Sequence, residues 1–182
     1  MKYWKNGHWE TGERIIPNEE CDYVVELIQN PNSSIVDLCC GDGNILERIK
    51  DTYPTMECIG IDLFIDNFKT KNTLLNKNIT LYKESIDTVI QNKFLYLPKD
   101  YIVMRNTFGT EHISHLNRDL EIEIFKHFRY FICQRPPENH SRFKNYYADH
   151  ILGKLSFSNE TLNIKVIKEN KYYYLIESYE NN

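Results

Sequence analysis

A short apolar strand that runs straight into two closely spaced glycines constrains the fold of this chain more than any other feature. The segment is Ile-Val-Asp-Leu-Cys-Cys-Gly-Asp-Gly-Asn-Ile-Leu, residues 35–46. Gly41 and Gly43 let the backbone turn sharply and let a ligand approach where a Cβ would block it. A helix that starts near Asn44 adds free N–H groups and the positive end of its dipole. This unit is typical of a nucleoside-binding α/β domain, whose ligand lies at the carboxyl ends of the strands.

Apolar periodicity predicts strands and helices in alternation along the chain. The predicted strands cover residues 34–40, 56–64, 79–83, 100–106, 130–134, 162–168 and 172–179. The predicted helices cover residues 18–29, 44–53, 67–77, 86–95, 111–128 and 139–153. Five alternating units and a final hairpin predict an α/β fold, with a mostly parallel sheet, a C-terminal antiparallel hairpin and helices on both faces. No linker or repeat interrupts the pattern, so residues 1–182 are expected to form a single domain.

Charge and composition argue against several classes of partner. The 182 residues carry a net charge of −4, and no dense Lys/Arg block supplies the basic face that a phosphate backbone needs. Nucleic acid is therefore disfavoured as a partner. The N-terminus lacks the apolar core of a signal peptide, and no apolar run approaches the length of a membrane span. The sequence predicts a cytoplasmic protein without a membrane partner, and it leaves the oligomeric state open.

The five cysteines are expected to be buried as small hydrophobic residues in a reducing compartment. Their number is odd and no pair has CxxC spacing, which argues against a disulfide framework and against a zinc site. No metal site is predicted. The cysteines are Cys21, Cys39, Cys40, Cys58 and Cys133.

Three features distinguish the candidate nucleoside ligands. A dinucleotide fingerprint requires a third glycine, and Leu46 occupies that position. A phosphate-binding loop requires Gly-Lys-Ser/Thr, and the sequence has none. The carboxylate of Asp37, just before the turn, would repel a phosphate but would favour an α-ammonium group or a network of N–H donors. These features favour S-adenosylmethionine over a dinucleotide.

Residues 36–43, Val-Asp-Leu-Cys-Cys-Gly-Asp-Gly, resemble motif I of class I S-adenosylmethionine-dependent methyltransferases. Cys39 stands where the first glycine of that motif usually sits. Asp62, at the end of the next apolar run, is similar to the acidic residue of that family that holds both ribose hydroxyls. The resemblance covers residues 17–179 in element order. It implies a Rossmann-like methyltransferase fold with a seven-stranded sheet.

The resemblance also implies which residues form the cofactor site. Leu63 would lie against the adenine. Glu84 and Ser85 occupy the place where the family usually has Asp and a small residue at the adenine edge; a solvated loop charge is the alternative for Glu84. The implied cofactor-binding residues are Asp37, Cys39, Cys40, Gly41, Asp42, Gly43, Asp62, Leu63, Glu84, Ser85 and Asn106.

Methyl transfer from a sulfonium is an in-line displacement with an activated donor. The protein must align the reactants and exclude water, and it needs a base only when the acceptor is protonated. Asn106, at the end of predicted strand 100–106, is the candidate beside the methyl group. His112 is the candidate base, with Glu111 and His140 behind it; a surface or capping role is the alternative. The Asp/Asn-Pro-Pro-Tyr/Phe motif of amino-methylating enzymes does not follow strand 100–106, which again disfavours nucleic acid.

The N-terminal segment, residues 1–16, contains Tyr3, Trp4 and Trp9. In the family that the chain resembles, this segment often folds over the cofactor as a lid, and aromatic faces suit a sulfonium cation. Packing against the edge of the sheet is the alternative.

The function that the resemblance implies is S-adenosylmethionine-dependent methyl transfer. The acidic charge and the small size favour a small-molecule acceptor. Three alternatives stay open: transfer of another group of the cofactor, as in aminopropyl transfer; methylation of a protein or RNA; and a non-catalytic subunit that only binds the cofactor.

Overall fold

The structure is a computed structural model, and most of what it describes lies between residues 18 and 134. The described residues are 4–5, 8–9, 18–63, 65–67, 70–92, 96–104, 124, 126–134 and 163–179. The predicted helix 139–153 and most of the predicted helix 111–128 lie outside the described residues, as does most of segment 1–16.

Strands and helices alternate from residue 18 onward, as the apolar pattern predicts. The strands are β1 Trp4–Lys5, β2 His8–Trp9, β3 Ser34–Leu38, β4 Glu57–Ile61, β5 Ile79–Tyr82, β6 Tyr101–Met104, β7 Tyr130–Gln134, β8 Asn163–Glu169 and β9 Tyr173–Tyr179. The helices are α1 Asn18–Leu27, α2 Asn44–Thr52, α3 Lys71–Asn76 and α4 Ile86–Gln91, with a 3₁₀ turn at Ile65–Asn67. Ile124, Lys126 and His127 are also helical.

Seven strands form one sheet in the order β5-β4-β3-β6-β7-β9-β8. Strands β3 to β7 run parallel, and β9 is antiparallel to both of its neighbours, β7 and β8. This confirms the predicted seven-stranded sheet with one reversed strand from the C-terminal hairpin. The strand order reverses direction between β3 and β6, and open α/β sheets bind their ligands at such a point, beside the carboxyl ends of the strands.

The sheet is covered on both faces, which is why its central strands are nearly continuous apolar runs. All five residues of β3 are buried. One face packs against α1, α2 and Leu74 of α3. The other face packs against Val89 of α4 and against Ile124 and Phe128. No helix among the described residues is long and apolar enough to cross a membrane.

Several predicted boundaries are wrong by a few residues. β3 ends at Leu38 rather than at residue 40, because Cys39 adopts a left-handed backbone with φ of 66°. β4 ends at Ile61 rather than at residue 64, and α3 is shorter than the predicted 67–77. The short hairpin of β1 and β2, which pairs Trp4 with Trp9, was not predicted. Two-residue strands are too short to show a periodicity.

Candidate functional site

Three neighbouring strands end in one row at the carboxyl edge of the sheet. Leu38 of β3 lies opposite Ile61 of β4, and Ile61 lies opposite Tyr82 of β5. The residues that follow them, including Cys39 and Asp62, therefore leave the sheet at the same level. The edge lies beside the point where the strand order reverses, which is where open α/β sheets bind ligands.

The turn between β3 and α2 has a left-handed backbone at three residues: Cys39, Gly41 and Gly43, with φ of 66°, 51° and 73°. The amides of Cys39 and Cys40 both donate to the carbonyl of Ile61, at 2.9 and 3.1 Å. The Gly43 amide donates to the Cys40 carbonyl at 3.0 Å. The turn is thus tied to β4, and Cys39 adopts the conformation that favours the glycine it replaces.

Asp62 links this turn to the next two strands. Its Oδ2 accepts a hydrogen bond from the Gly41 amide at 3.1 Å, and its own amide donates to the Tyr82 carbonyl at 3.1 Å. A Cβ built on Gly41 would have no atom within 4 Å. The backbone there faces open space, so a ligand can approach it without meeting a side chain. Asp62 and Gly41, both predicted site residues, are therefore brought together.

The far side of the turn rests on α3. A Cβ on Gly43 would lie 2.4 Å from Cδ1 of the buried Leu74. The Thr70 hydroxyl donates to the Asp42 carbonyl at 2.6 Å. Thr70 was missed by the sequence reasoning, because no local pattern indicates that a residue 28 positions away supports the turn.

Asp37 is buried in β3, with 2% of its surface exposed. It lies opposite Gly60 of β4, where a Cβ would come within 2.9 Å of the Cys40 sulfur. Cys40 is itself buried in the core. Only its backbone could therefore make the contact with a ligand that the sequence predicts. The site therefore contains a buried acid beneath a closely packed turn.

The two thiols of the turn are poor nucleophiles. Loss of hydration raises the pKa of Cys39 to about 12, and the negative charges of Asp62 and Asp37 act in the same direction. Burial and the same two acids raise the pKa of the Cys40 thiol as well. Both thiols are protonated at neutral pH, which argues against covalent catalysis by either.

None of the five cysteines forms a disulfide bond. Four of them are buried, as expected of small hydrophobic residues, whereas Cys39 is exposed. Among the residues that the structure describes, no group of three or more His, Cys, Asp and Glu side chains could hold a metal ion.

The residues that follow β5 form a second part of the candidate site. The Tyr96 hydroxyl donates to Oε2 of Glu84 at 2.5 Å. The Ser85 hydroxyl accepts the amide of Thr88 at 3.1 Å and so caps α4. Ser85 therefore has a structural role that the sequence reasoning did not predict. Tyr96 was missed, because it lies in a loop where nothing indicates a contact with Glu84.

The remaining predicted site residues divide into two groups. Leu63 follows Asp62 and is 50% exposed, and its assignment to the adenine stays a prediction. Asn106 and His112 lie outside the described residues, and so do Glu111 and His140. Their assignments stay predictions.

The sheet order and the turn define the class of this protein, which is a member of the class I S-adenosylmethionine-dependent methyltransferase superfamily. Residues 18–126, more than half of the chain, match the family model described as "Methionine biosynthesis protein MetW", and the chain belongs to this family. No curated protein sequence matches the chain significantly.

Solved structures of similar fold include three proteins that are named as methyltransferases. The precorrin-6y C5,15-methyltransferase of Geobacter metallireducens GS-15 has a TM-score of 0.57 and 11% identity, over 94% of each chain. A putative rRNA-methylase of Clostridium thermocellum has a TM-score of 0.52 and 16% identity, over 89% of this chain and 96% of that one. An O-methyltransferase family protein of Burkholderia thailandensis has a TM-score of 0.57 and 12% identity, over 88% of this chain and 55% of that one. At these identities the similarity concerns the fold alone.

Proposed function

We propose that this protein binds S-adenosylmethionine at the turn after β3 and transfers the methyl group to a small-molecule acceptor. The observation that carries the proposal is the hydrogen bond from the Gly41 amide to Asp62 Oδ2. It brings the glycine turn and the acid after β4 to one edge. A carboxylate can accept bonds at both oxygens, so Asp62 can hold a ribose hydroxyl while it supports the turn.

The residues at the edge fit the parts of this cofactor. Gly41 offers backbone next to open space, which suits the amino-acid portion, and Asp62 suits the ribose diol. Leu63 supplies exposed apolar surface for the base. The negative charge of the buried Asp37, which helps to raise the pKa of Cys39 in the turn, favours a cationic ligand over a phosphate. When bound, the cofactor supplies an already activated methyl group, so the chain has to orient the acceptor and exclude water.

Two observations favour a small acceptor. The chain carries a net charge of −4, which does not suit the electrostatic binding of a nucleic acid backbone. The family is described by a role in methionine biosynthesis, which is chemistry of small molecules.

Binding of S-adenosylhomocysteine to purified protein, measured by calorimetry, tests the cofactor assignment. We expect Asp62→Ala to weaken binding by about 1–3 kcal/mol, the scale of a hydrogen bond to a charged group. Asp51→Ala is the matched control, because the Asp51 carboxylate pairs with Lys77 at 2.6 Å, is half-exposed and lies on α2. Equal affinities of the two variants would remove Asp62 from the ribose site.

Turnover is tested with S-adenosylmethionine and a panel of small acceptors, followed by mass analysis of the by-product. S-adenosylhomocysteine is expected, and methylthioadenosine would instead indicate transfer of an aminopropyl-type group. Tight binding without turnover on small molecules, on proteins or on RNA would favour a non-catalytic binding subunit.

A further inference from the structure

We infer that Tyr96 is a positioning residue that holds the Glu84 carboxylate ready to select adenine over a purine with a carbonyl at the same position. The inference rests on the proposed function, since it concerns the base of the same cofactor. Nothing in the local sequence around Tyr96 indicates this role, which becomes visible only where the chain folds back onto the end of β5.

Glu84 is held by hydrogen bonds at both its backbone amide and its side-chain carboxylate. The Glu84 amide and the Asp62 amide both donate to the Tyr82 carbonyl at 3.1 Å, so the two acids start from one point of the sheet edge. The carboxylate of Glu84 is held at Oε2 by the Tyr96 hydroxyl at 2.5 Å. The Tyr96 ring lies against the Tyr82 ring, with centroids 5.3 Å apart and an interplanar angle of 59°. The Glu84 carboxylate is thereby held in place at the sheet edge from which Asp62, the ribose-binding candidate, also leaves.

The charge state of the pair makes the bond directional. An ionised carboxylate only accepts hydrogen bonds, and a protonated phenol donates one. Burial raises the pKa of the Tyr96 phenol, and the hydrogen bond to Glu84 and its charge add to the rise. Tyr96 therefore remains a donor throughout the neutral range. Among the described residues nothing donates to Oε1 of Glu84, so this oxygen can receive a donor from a ligand.

This arrangement discriminates between purines. The exocyclic amino group of adenine can donate a hydrogen bond to a carboxylate oxygen. Hypoxanthine has a carbonyl at that position, so its oxygen and the carboxylate oxygen would be two acceptors facing each other without a hydrogen between them. A site built to receive a donor rejects an analogue that lacks it more strongly than an apolar site can. Fixing the side chain beforehand reduces the entropy lost when the ligand binds. A rotating carboxylate in Tyr96→Phe would therefore bind adenine less well.

A merely structural role predicts something different. Tyr96 is 37% exposed, and exposed pairs of this kind contribute little to stability. The ring contact with Tyr82 is retained in Tyr96→Phe, so that variant removes the hydroxyl alone. A structural role would alter binding of both purines equally, whereas a positioning role alters the ratio between them.

The test compares S-adenosyl-L-homocysteine with S-inosyl-L-homocysteine by calorimetry on the full chain. We expect the wild-type protein to prefer the adenosyl compound by about tenfold or more, and Tyr96→Phe to reduce that ratio by about 3- to 10-fold. Glu84→Gln should bring the ratio close to one, because an amide can donate as well as accept. Tyr23→Phe is the matched control: the Tyr23 hydroxyl also donates to a glutamate, Glu19, at 3.4 Å, but on α1.

The outcomes separate this inference from the proposed function. If Tyr96→Phe keeps the wild-type ratio, or weakens both compounds by the same factor, Tyr96 does not position Glu84, although cofactor binding stands. If the wild-type protein binds neither compound, the proposed function fails and the inference fails with it. Thermal unfolding of each variant, compared with Tyr23→Phe, checks that a changed ratio does not reflect a misfolded protein.

Discussion

The Gly41 amide donates a hydrogen bond to Asp62 Oδ2 at 3.1 Å, across 21 positions of the sequence. The bond joins the turn after β3 to the residue after β4. Because the Asp62 amide in turn donates to the carbonyl of Tyr82, the ends of three strands are connected through one acid. The turn therefore depends on Asp62 even when no ligand is bound.

We predict that Asp62→Ala lowers the free energy of unfolding by about 1 kcal/mol, because the partly buried Gly41 amide loses a charged acceptor. Asp62→Asn keeps an acceptor oxygen and should lose less. Urea titrations followed by circular dichroism measure both values. Asp51→Ala, which breaks a surface ion pair with Lys77, should change stability by less than about 0.5 kcal/mol. If Asp51→Ala lowers the free energy of unfolding as much as Asp62→Ala does, the hydrogen bond from Gly41 to Asp62 stabilises the protein no more than a surface ion pair.

The two glycines of the turn should respond differently to alanine. In Gly43→Ala the new methyl group meets Leu74 Cδ1 at 2.4 Å, in addition to the cost of a φ of 73°. In Gly41→Ala the φ of 51° costs energy but the methyl group meets nothing. We expect losses of about 2–4 kcal/mol for Gly43→Ala and about 1 kcal/mol for Gly41→Ala.

Thermal and urea unfolding of both glycine variants give the comparison. In the Gly43→Ala background, Leu74→Ala removes the atom that clashes, so the double variant should lose less than the two single losses added together. Strict additivity of the two changes would contradict the predicted contact.

The central strands and the glycine turn could be predicted because their signals are local. Apolar runs and glycine spacing lie within a few residues of each other, and the alternation of strands with helices predicts a mostly parallel sheet. Bonds between distant segments could not be predicted in this way. The contact of Thr70 with Asp42 spans 28 positions and that of Tyr96 with Glu84 spans 12, and both depend on how a helix packs. No period in the sequence carries that information.

Cys39 shows a second limit of sequence reasoning. The sequence has a cysteine where motif I of the methyltransferases has a glycine. Only the structure reveals that the backbone at Cys39 still adopts the left-handed conformation that favours glycine, with φ of 66°. The side chain is accommodated because it points to an exposed position. The motif is thus retained in its backbone while one of its residues has changed.

We predict that Cys39→Gly raises the free energy of unfolding by about 0.5–1 kcal/mol. Relief of the left-handed penalty, about 1–2 kcal/mol, exceeds the entropic cost of glycine, about 0.5–1 kcal/mol. Asn78→Gly is the control, since Asn78 has a φ of 57° but asparagine tolerates this region; it should gain less. Urea midpoints at constant m-value decide between the two. A gain in Asn78→Gly that matches Cys39→Gly would contradict strain specific to Cys39.

Alkaline pH should destabilise the protein through its buried thiols. Burial raises the pKa of Cys133 in β7 to about 12, against about 8.5 in an unfolded chain. The neutral thiol therefore contributes fully below about pH 8.5, and its contribution is lost toward pH 12 at about 1.4 kcal/mol per pH unit. Cys133→Ala should show a smaller fall of the urea-derived unfolding free energy between about pH 8.5 and 9.5. Ile132→Val, which also removes atoms from the core of β7, is the control and should keep the wild-type slope of unfolding free energy against pH. The same slope in all three proteins would mean that Cys133 ionises as readily in the folded protein as in the unfolded chain.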